Sequence, residues 1–352
     1  MITFFMLLYK KGNFLLYLYL GGRKMLYVSN ESTNPFYNLA MEEYLFNIND
    51  SKNYVLLWRN EPTIVVGKHQ NTIEEINSQY VKEKQIHIVR RITGGGAVYH
   101  DLGNLNYSLI IKDDYDGDYD FKKFTRPIVK ALARLGVKAE QSGRNDITIE
   151  GKKFSGNAQF VSRGKLLHHG TLLFDSKMEE LVKALKVSED KFKSKGVKSV
   201  RSRVTNIKEY LTDEIDVLKF KSLLLDYMFD EDVELEKGQL SEKQKEEIES
   251  LKNNKYMTWG WNYGRSPEFN IKKVKKFQSG KVEALIDVNK GIIENIKFYG
   301  DFFGTGNLSD IEKALKGKRY EEETIKTALK GFNLDYYFKN IGEEGLYNLL
   351  ID

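Results

Sequence analysis

One run, Arg90-Arg91-Ile92-Thr93-Gly94-Gly95-Gly96-Ala97-Val98-Tyr99-His100-Asp101, constrains the fold more than any other stretch of the chain. The apolar segment Ile86–Val89 leads into it and Asn106–Ile111 leads out. Both segments have the composition of strands, so the glycines belong to a loop within a sheet. Consecutive glycines let backbone N–H groups turn towards one point with no Cβ in the way. The paired arginines add forked donors suited to phosphate or carboxylate. A glycine triplet alone is a tight turn. The flanking arginines and His100-Asp101 favour a site for an anion with several oxygens. The run is neither a G-x-G-x-x-G fingerprint opening a helix nor a P-loop ending in Gly-Lys-Ser/Thr.

A chain of 352 residues can bury a large core and is expected to form two domains. Lys and Arg total 55 against 50 Asp and Glu, a net charge of +5, which permits an anionic substrate without requiring nucleic acid. There is no cysteine, which excludes disulfides, thiolate nucleophiles, thioester intermediates and cysteine-based zinc sites. A cysteine-free chain also fits a reducing cytoplasm. All 5 histidines lie between His69 and His169, so imidazole chemistry must come from the N-terminal half.

Residues 1–24 carry two short apolar runs split by Lys10-Lys11-Gly12-Asn13, neither long enough to span a membrane. They are expected to lie outside the folded unit, as translated upstream sequence or a disordered extension, with Met25 as the working start. Leu26–Val28 reads as a strand. Asn34-Pro35 supplies an N-cap and an N1 proline for a helix over Phe36–Ile48. Tyr54–Trp58 and Thr63–Val66 read as strands about a turn at Asn60-Glu61-Pro62. Asn71 and Glu74 suggest a capping box, with Ile73, Ile76 and Tyr80 at helical spacing. Gly67-Lys68-His69-Gln70 reads equally as a polar connection or a substrate contact. The acidic stretch Asp113–Asp120 reads as a solvated turn. A helix is predicted from Phe121 to Leu135, stopped by Gly136.

An antiparallel meander follows: Ile147–Ile149, a strand carrying Lys153–Ala158, and Leu166–Phe174, joined by turns at Glu150-Gly151 and Arg163-Gly164. Its polar intrusions are informative, because polar side chains on a buried sheet face are costly unless paired. His168 and His169 must face opposite ways in a strand, so only one can enter a site. Further on come a helix over 177–186, a basic stretch Lys191–Arg203 that is either solvated or anion-contacting, and helices over 206–229 and 241–252. Thr258–Gly264 is an aromatic plug. A boundary at about 265–272 precedes two strands, Val282–Asp287 and Ile292–Tyr299, and two or three short helices from Leu308 onward. This makes a small α+β domain with no catalytic-looking cluster. The expected division is 1–24, 25–265 and 272–352.

Taken together, Arg90, Arg91, the glycine loop, Asn145, Asp146, Lys153 and one of His168 and His169 suit attack of a carboxylate on the α-phosphorus of ATP. Two anions must meet, so the protein has to neutralise charge and align the groups. The mixed anhydride formed is readily hydrolysed, so the site should exclude water.

These residues carry a resemblance. Arg90–Asp101 with Gly103-Asn104 resembles the central motif of lipoate–protein ligases. Ser142-Gly143-Arg144-Asn145-Asp146, Lys153-Phe154-Ser155-Gly156, His168–Leu173 and Val200–Asn206 resemble further motifs of that family in the same order. The resemblance implies an α+β fold: a large class II synthetase or biotin-ligase-like domain, its mixed sheet flanked by helices, followed by a small C-terminal α+β domain. It implies activation of lipoate by ATP and magnesium to lipoyl-AMP. The lipoyl group then passes to a lysine of an apo carrier, the implied partners being apo lipoyl domains of 2-oxoacid dehydrogenase acyltransferase subunits and the glycine-cleavage H protein. Carried over by motif, Arg91, Gly96, Ala97, Val98, Tyr99, Asn145, Asp146 and Lys153 would contact ATP, and Asp146 would help hold magnesium. Arg90, Gly95, Lys153 and His169 would contact lipoate, with Val98 lining its tunnel. Lys153 is the expected catalytic residue. A cytoplasmic monomer is expected, with no nucleic-acid partner and no membrane span.

Three enzymatic rivals share the implied fold. Octanoyl transferases and lipoyl amidotransferases need a cysteine nucleophile, which is missing here. Biotin ligases use a Gly-Arg-Gly-Arg loop and are a poor second. A non-catalytic carrier-domain or nucleic-acid binder gains weak support from the basic stretch 191–203. The presence of Lys153 alongside every partner motif argues against it.

Overall fold

The computed structural model describes residues 24–112, 120–185, 203–229, 233–263, 270–289 and 291–351. Almost all of the expected N-terminal extension lies outside these residues, as do most of the acidic turn, the basic stretch up to Ser202 and the Ser266-Pro267 boundary. The N-terminal strands are β1 Lys24–Val28, β2 Asn53–Trp58, β3 Thr63–Val66, β4 His87–Arg90, β5 Val98–His100 and β6 Asn104–Ile111. Then come β7 Glu140–Ser142, β8 Asp146–Ile149, β9 Lys152–Ser162, β10 Lys165–Leu173 and β11 Glu234–Gly238. The C-terminal strands are β12 Ile271–Phe277, β13 Gly280–Asn289 and β14 Ile292–Gly300.

The main sheet has the order β11-β1-β2-β6-β10-β9-β8-β7. Its β1 pairings are parallel and those from β2 to β7 are antiparallel, so it is mixed. Both faces are covered, which is why β2 and β6 are buried at every position. One face packs on the Phe121–Arg134 and Val217–Met228 helices through Phe124, Ile128, Phe220 and Leu224. The other packs on the Pro35–Asn47 helix through Leu39, Met41 and Leu45. That helix starts as the sequence indicates: the Asn34 side chain accepts from the Tyr37 N–H, and Pro35 sits in its first turn.

The meander turns where expected. Glu150 and Gly151 take φ of 50° and 74°, and Arg163 and Gly164 take 51° and 70°, the conformation of two-residue hairpin turns. Other expectations need correcting. The single helix predicted from Asn71 is two pieces, Thr72–Glu75 and Ser78–Glu83. Asn71 makes no side-chain capping bond, whereas Asn77 accepts from the Tyr80 N–H and caps the second piece. The glycine loop does not connect straight to the outgoing strand, because β5 intervenes and pairs antiparallel with β3, while β4 pairs parallel with it. This second sheet, β4-β3-β5, carries the loop over the main sheet.

The C-terminal unit is an antiparallel sheet, β12-β13-β14, under the helices Leu308–Leu315, Glu322–Leu329, Leu334–Tyr337 and Glu343–Ile351. It has its own core around Phe298, Phe302, Ile311 and Leu346. It docks on the larger unit at several points. The Gly300 N–H donates to the His69 carbonyl at 2.9 Å. The His69 and Phe302 rings stack at 4.9 Å and 4°. The Arg144 guanidinium lies 4.7 Å over the Phe303 ring and donates to the Ser279 carbonyl. Among the described residues, no helix is long and apolar enough to cross a membrane.

Candidate active site

Between the glycine loop and the main sheet lies a cavity of about 130 Å³. Gly95, Gly96 and Val98 form its roof; Lys153, Asn157, His169 and Thr171 lie on its floor. The close approach of the loop depends on small residues. A Cβ on Gly67 would fall 1.9 Å from the Gly95 carbonyl oxygen, and Gly95 itself has φ of +93°.

Lys153 enters from β9 at a bulge in the β8–β9 pairing. Its backbone is clamped on the other side, with its N–H donating to the Arg203 carbonyl at 2.7 Å and its carbonyl accepting from the Thr205 N–H at 2.9 Å. The amine meets Asp146 Oδ1 at 2.7 Å. It lies across Gly156, whose added Cβ would come within 3.0 Å of Nζ. Asn145 is held beside it by its Nδ2 donating to the Asn157 carbonyl at 2.6 Å and by its own carbonyl accepting from the Asn157 N–H at 2.9 Å.

The two arginines have different surroundings. Arg91 lines the cavity and curls under the glycine loop. Its Nε donates to Thr93 Oγ1 at 2.9 Å, Nη1 to the Val65 carbonyl at 3.2 Å, and Nη2 to the Gly94 and Gly96 carbonyls at 2.8 Å each. Burial pushes its guanidinium down to about 10, and the carboxylate of Glu42 partly opposes that. One Nη1–H remains for a ligand oxygen.

Arg90 does not line the cavity. Its Nε donates to the Trp261 carbonyl; Nη1 donates to those of Gly67, Lys68 and Gln70; Nη2 donates to Thr72 Oγ1 and the Asn262 carbonyl. The Trp261 indole N–H returns a bond to the Arg90 carbonyl at 2.8 Å. The expectation that Arg90 holds lipoate is therefore corrected. Adjacent strand residues face opposite ways, and Arg90 is the one turned to brace the Gly67–Gln70 connection and the aromatic plug. The same alternation turns the side chain of Tyr99, expected on ATP, away from the cavity. Its neighbours Val98 and His100 line the cavity, while Tyr99 is buried with Ile64, Val66 and Val81.

Of the two histidines, His169 faces the cavity. His168 faces the other way, 5.3 Å from the Phe124 ring and within 3.1 Å of the Tyr107 hydroxyl. Burial drives the His168 pKa well below its ordinary value. His169 Nε2 lies 2.8 Å from Thr93 Oγ1 and its Nδ1 lies 2.9 Å from Glu42 Oε1, which also accepts from Ser108 Oγ at 2.6 Å. The Trp58 indole N–H donates to Ser108 Oγ at 3.0 Å. Sequence reasoning missed Glu42, Trp58 and Asn106, and gave His100 only a general part in an anion site. The period-2 alternation of β5 and β6 held the signal for the last two.

Asp146, expected to hold magnesium, is bound to Lys153, and no cluster of three or more His, Asp or Glu side chains suited to a metal occurs among the described residues. A lone carboxylate still fits magnesium, which binds through one or two carboxylates with substrate phosphates and water completing its shell.

A model of the lipoyl protein ligase A/B catalytic domain matches residues 34–229, and one of the bacterial lipoate protein ligase C-terminus matches 266–350. The chain belongs to the lipoyl protein ligase A/B family. It is 50% identical over 330 residues to lipoate-protein ligase LplJ of Bacillus subtilis, covering 93% of this chain and 100% of that one. Its fold is similar to that of P. falciparum LipL1 in complex with lipoate, with a TM-score of 0.72 and 26% identity over 93% of this chain and 98% of that one. It is also similar to lipoate-protein ligase A bound with ATP, with a TM-score of 0.59 and 28% identity over 69% of this chain and 99% of that one. The family assignment agrees with the resemblance carried by the sequence motifs, and the α+β architecture is the one that resemblance implies.

Proposed function

We propose that this lipoyl protein ligase A/B family member activates lipoate with ATP and then transfers the lipoyl group to a lysine of a carrier domain. In the first step a carboxylate oxygen of lipoate attacks the α-phosphorus, and pyrophosphate leaves. In the second, the carrier lysine amine attacks the lipoyl carbonyl. An amide forms, AMP leaves with the bonding electrons, and the amine loses its proton.

The observation that carries this reading is the placement of Lys153 at one end of a cavity whose other wall is Leu39, Trp58, Val65 and Val98. An acyl chain suits the apolar end, and its carboxylate suits the amine. Lys153 would offset charge on both the carboxylate and the α-phosphate, the two anions that must approach. Asn145 and the remaining Nη1–H of Arg91 would orient oxygens at the same end, with Gly96, Ala97 and Val98 against the nucleotide. Gly95 and His169 flank the acyl chain. Asp146 would be the chain's own donor to magnesium, which supplies charge neutralisation at the phosphates when bound. The carriers that fit are apo lipoyl domains of 2-oxoacid dehydrogenase acyltransferase subunits and the glycine-cleavage H protein.

The test is purified protein with ATP, magnesium, lipoate and an apo lipoyl domain, read by intact mass. The carrier gains one lipoyl group, and gains nothing when biotin replaces lipoate or when ATP is omitted. A carrier left unmodified under the complete conditions overturns the proposal.

A further inference from the structure

Four buried side chains form a chain of hydrogen bonds that ends on a residue lining the cavity. None of Gln159, His168, Tyr107 and Asn157 is more than 3% exposed. Tyr107 packs in the apolar layer with Phe124, Ile128 and Leu172, and the His168 ring stacks on Phe124 at 5.3 Å. Polar side chains in such a layer are expensive unless paired.

Backbone carbonyls at both ends fix the direction of the chain. Gln159 Nε2 donates to the Asp120 carbonyl at 3.2 Å, so the group 2.9 Å from His168 Nδ1 is an N–H donor. Nδ1 therefore accepts, and the proton of the neutral ring resides on Nε2. Burial, with the charge of His169, keeps the ring neutral. Its Nε2–H donates to the Tyr107 oxygen at 3.1 Å, and the Tyr107 hydroxyl donates in turn to Asn157 Oδ1. Asn157 Nδ2 donates to the Asn145 carbonyl at 3.0 Å, which fixes that amide as well. Each member donates to the next, so the bonds polarise one another in one sense.

The sheet leaves room for this chain. Tyr107 in β6 and Asn157 in β9 lie opposite Gly170 on its two sides, about 9.5 Å apart at two strand spacings. A Cβ on Gly170 would fall 2.1 Å from Asn157 Oδ1 and 2.6 Å from Tyr107 Cε1. Glycine at that point lets the hydroxyl reach the amide across β10. Beyond it, Asn157 holds Asn145 through three bonds. Its N–H and Nδ2–H both donate to the Asn145 carbonyl, and its carbonyl accepts from Asn145 Nδ2. Residues 142–144, just before Asn145, are exposed, and Asp146, just after it, meets the Lys153 amine. Asn157 is thus an anchor of the Asn145–Asp146 segment, and the Tyr107 hydroxyl keeps the Asn157 amide from rotating.

We propose that Tyr107 and Asn157, backed by His168, are positioning residues that hold Asn145 and Asp146 ready for the nucleotide. This deepens the ligase reading and rests on it. None of the three needs to touch substrate; their effect passes through Asn145.

The experiment measures lipoate-dependent pyrophosphate release by the wild type, Tyr107→Phe, His168→Gln and the double variant. Tyr107→Phe keeps the ring and removes the donor. Its KM for ATP should rise about fivefold, the effect of one neutral hydrogen bond, with the KM for lipoate unchanged. His168→Gln should raise the ATP KM by less, and should add nothing in the Tyr107→Phe background, because it acts only through the hydroxyl. A general loss of packing would instead lower kcat or move both KM values together. Independently, ¹⁵N-histidine-labelled wild-type protein should show His168 protonated at Nε2 and not at Nδ1. That Nε2–H signal should shift on adding ATP with magnesium and not on adding lipoate, a readout that decides the matter if Tyr107→Phe does not fold. An ATP KM untouched by Tyr107→Phe, two KM values that move together, a proton on Nδ1, or an Nε2–H signal indifferent to ATP overturns the proposal. A wild type that releases no pyrophosphate with lipoate would instead remove the ligase reading itself.

Discussion

His169 Nδ1 lies 2.9 Å from Glu42 Oε1, and this contact ties the Pro35–Asn47 helix to the glycine loop. The path runs from Glu42 through His169 to Thr93 and Arg91, whose guanidinium holds the Gly94 and Gly96 carbonyls. Glu42 is 1% exposed, so its charge has to be compensated inside the protein. Glu42→Ala strands the donors of His169 and Ser108 and removes the carboxylate that offsets burial of Arg91. Stability should fall by about 3 kcal/mol, as when one partner of a buried pair is deleted, and the KM for lipoate should rise. Urea denaturation and initial rates would measure both. A variant as stable as wild type would mean that the network is not what holds the loop.

Lys153 calls for the opposite expectation. Its ion pair with Asp146 joins side chains that are 42% and 36% exposed, so solvent screens it and its loss should hardly alter stability. Its position at the reacting groups predicts a fall of roughly 10²–10³-fold in the adenylation rate of Lys153→Ala, the scale of losing one preorganised donor. Pyrophosphate release and a thermal melt on the same preparation separate the two effects. Near-normal lipoyl-AMP formation by Lys153→Ala would refute the assigned role.

Arg90 and Arg91 look interchangeable in the sequence, yet a substitution at Arg90 should act on folding. Every nitrogen of its guanidinium donates within the protein, mostly to backbone carbonyls. A lysine cannot reproduce that fork. Arg90→Lys should cost about 3 kcal/mol or more, through several buried acceptors left without donors. Should the variant melt like wild type and show only a raised KM for lipoate, Arg90 would have to be returned to the ligand.

What could be read from the sequence divides along physical lines. The β8–β10 meander was legible because Glu150-Gly151 and Arg163-Gly164 mark its turns, and strand alternation forced His168 and His169 apart. Alternation also says that Arg90 and Arg91 part, as do Tyr99 and His100, but not which member meets the cavity. That depends on where β4 and β5 sit, which is a tertiary fact. Glu42 was illegible for a related reason: a glutamate in a good helix former reads as a solvated face, and only packing of the helix on β6 and β10 buries it. β12 escaped notice because its Lys-rich run alternates as an edge strand should, and lysines there guard the edge at the expense of an apolar signature.

The buried imidazoles predict a pH dependence of stability. Burial holds His100 at about 3, helped by Arg91 and His169, and drives His168 well below its ordinary value. In the unfolded chain both would titrate near 6.5. Between that value and the folded values the unfolded state binds more protons, so stability is complete above about pH 6.5 and is lost as the pH falls. For His100 this should cost roughly 2 kcal/mol by pH 5, and His168 acts in the same direction. His100→Gln should therefore lose less than wild type between pH 7 and pH 5, measured by urea denaturation. Equal losses in the two proteins would show that His100 is not protonated preferentially on unfolding.

The consecutive glycines serve different ends, and substitution should separate them. A Cβ on Gly94 would lie 2.4 Å from the Phe302 carbonyl oxygen, against backbone of the C-terminal unit that cannot swing aside as a side chain can. Gly95 needs its positive φ of +93°. A Cβ on Gly96 meets nothing within 4 Å. Gly96→Ala should therefore stay within about 0.5 kcal/mol of wild type in stability, and any effect should appear in nucleotide or lipoate binding. Gly94→Ala should cost about 1–3 kcal/mol, as overpacking does. It should also loosen the docking seam, where the Gly300 N–H bonds to the His69 carbonyl. Hydrogen exchange at the Gly300 amide should accelerate in Gly94→Ala and not in Gly96→Ala. If both variants exchange there at the wild-type rate, contact with Phe302 is not what requires glycine at position 94, and the C-terminal unit must be held by its stacking on His69 and by Arg144.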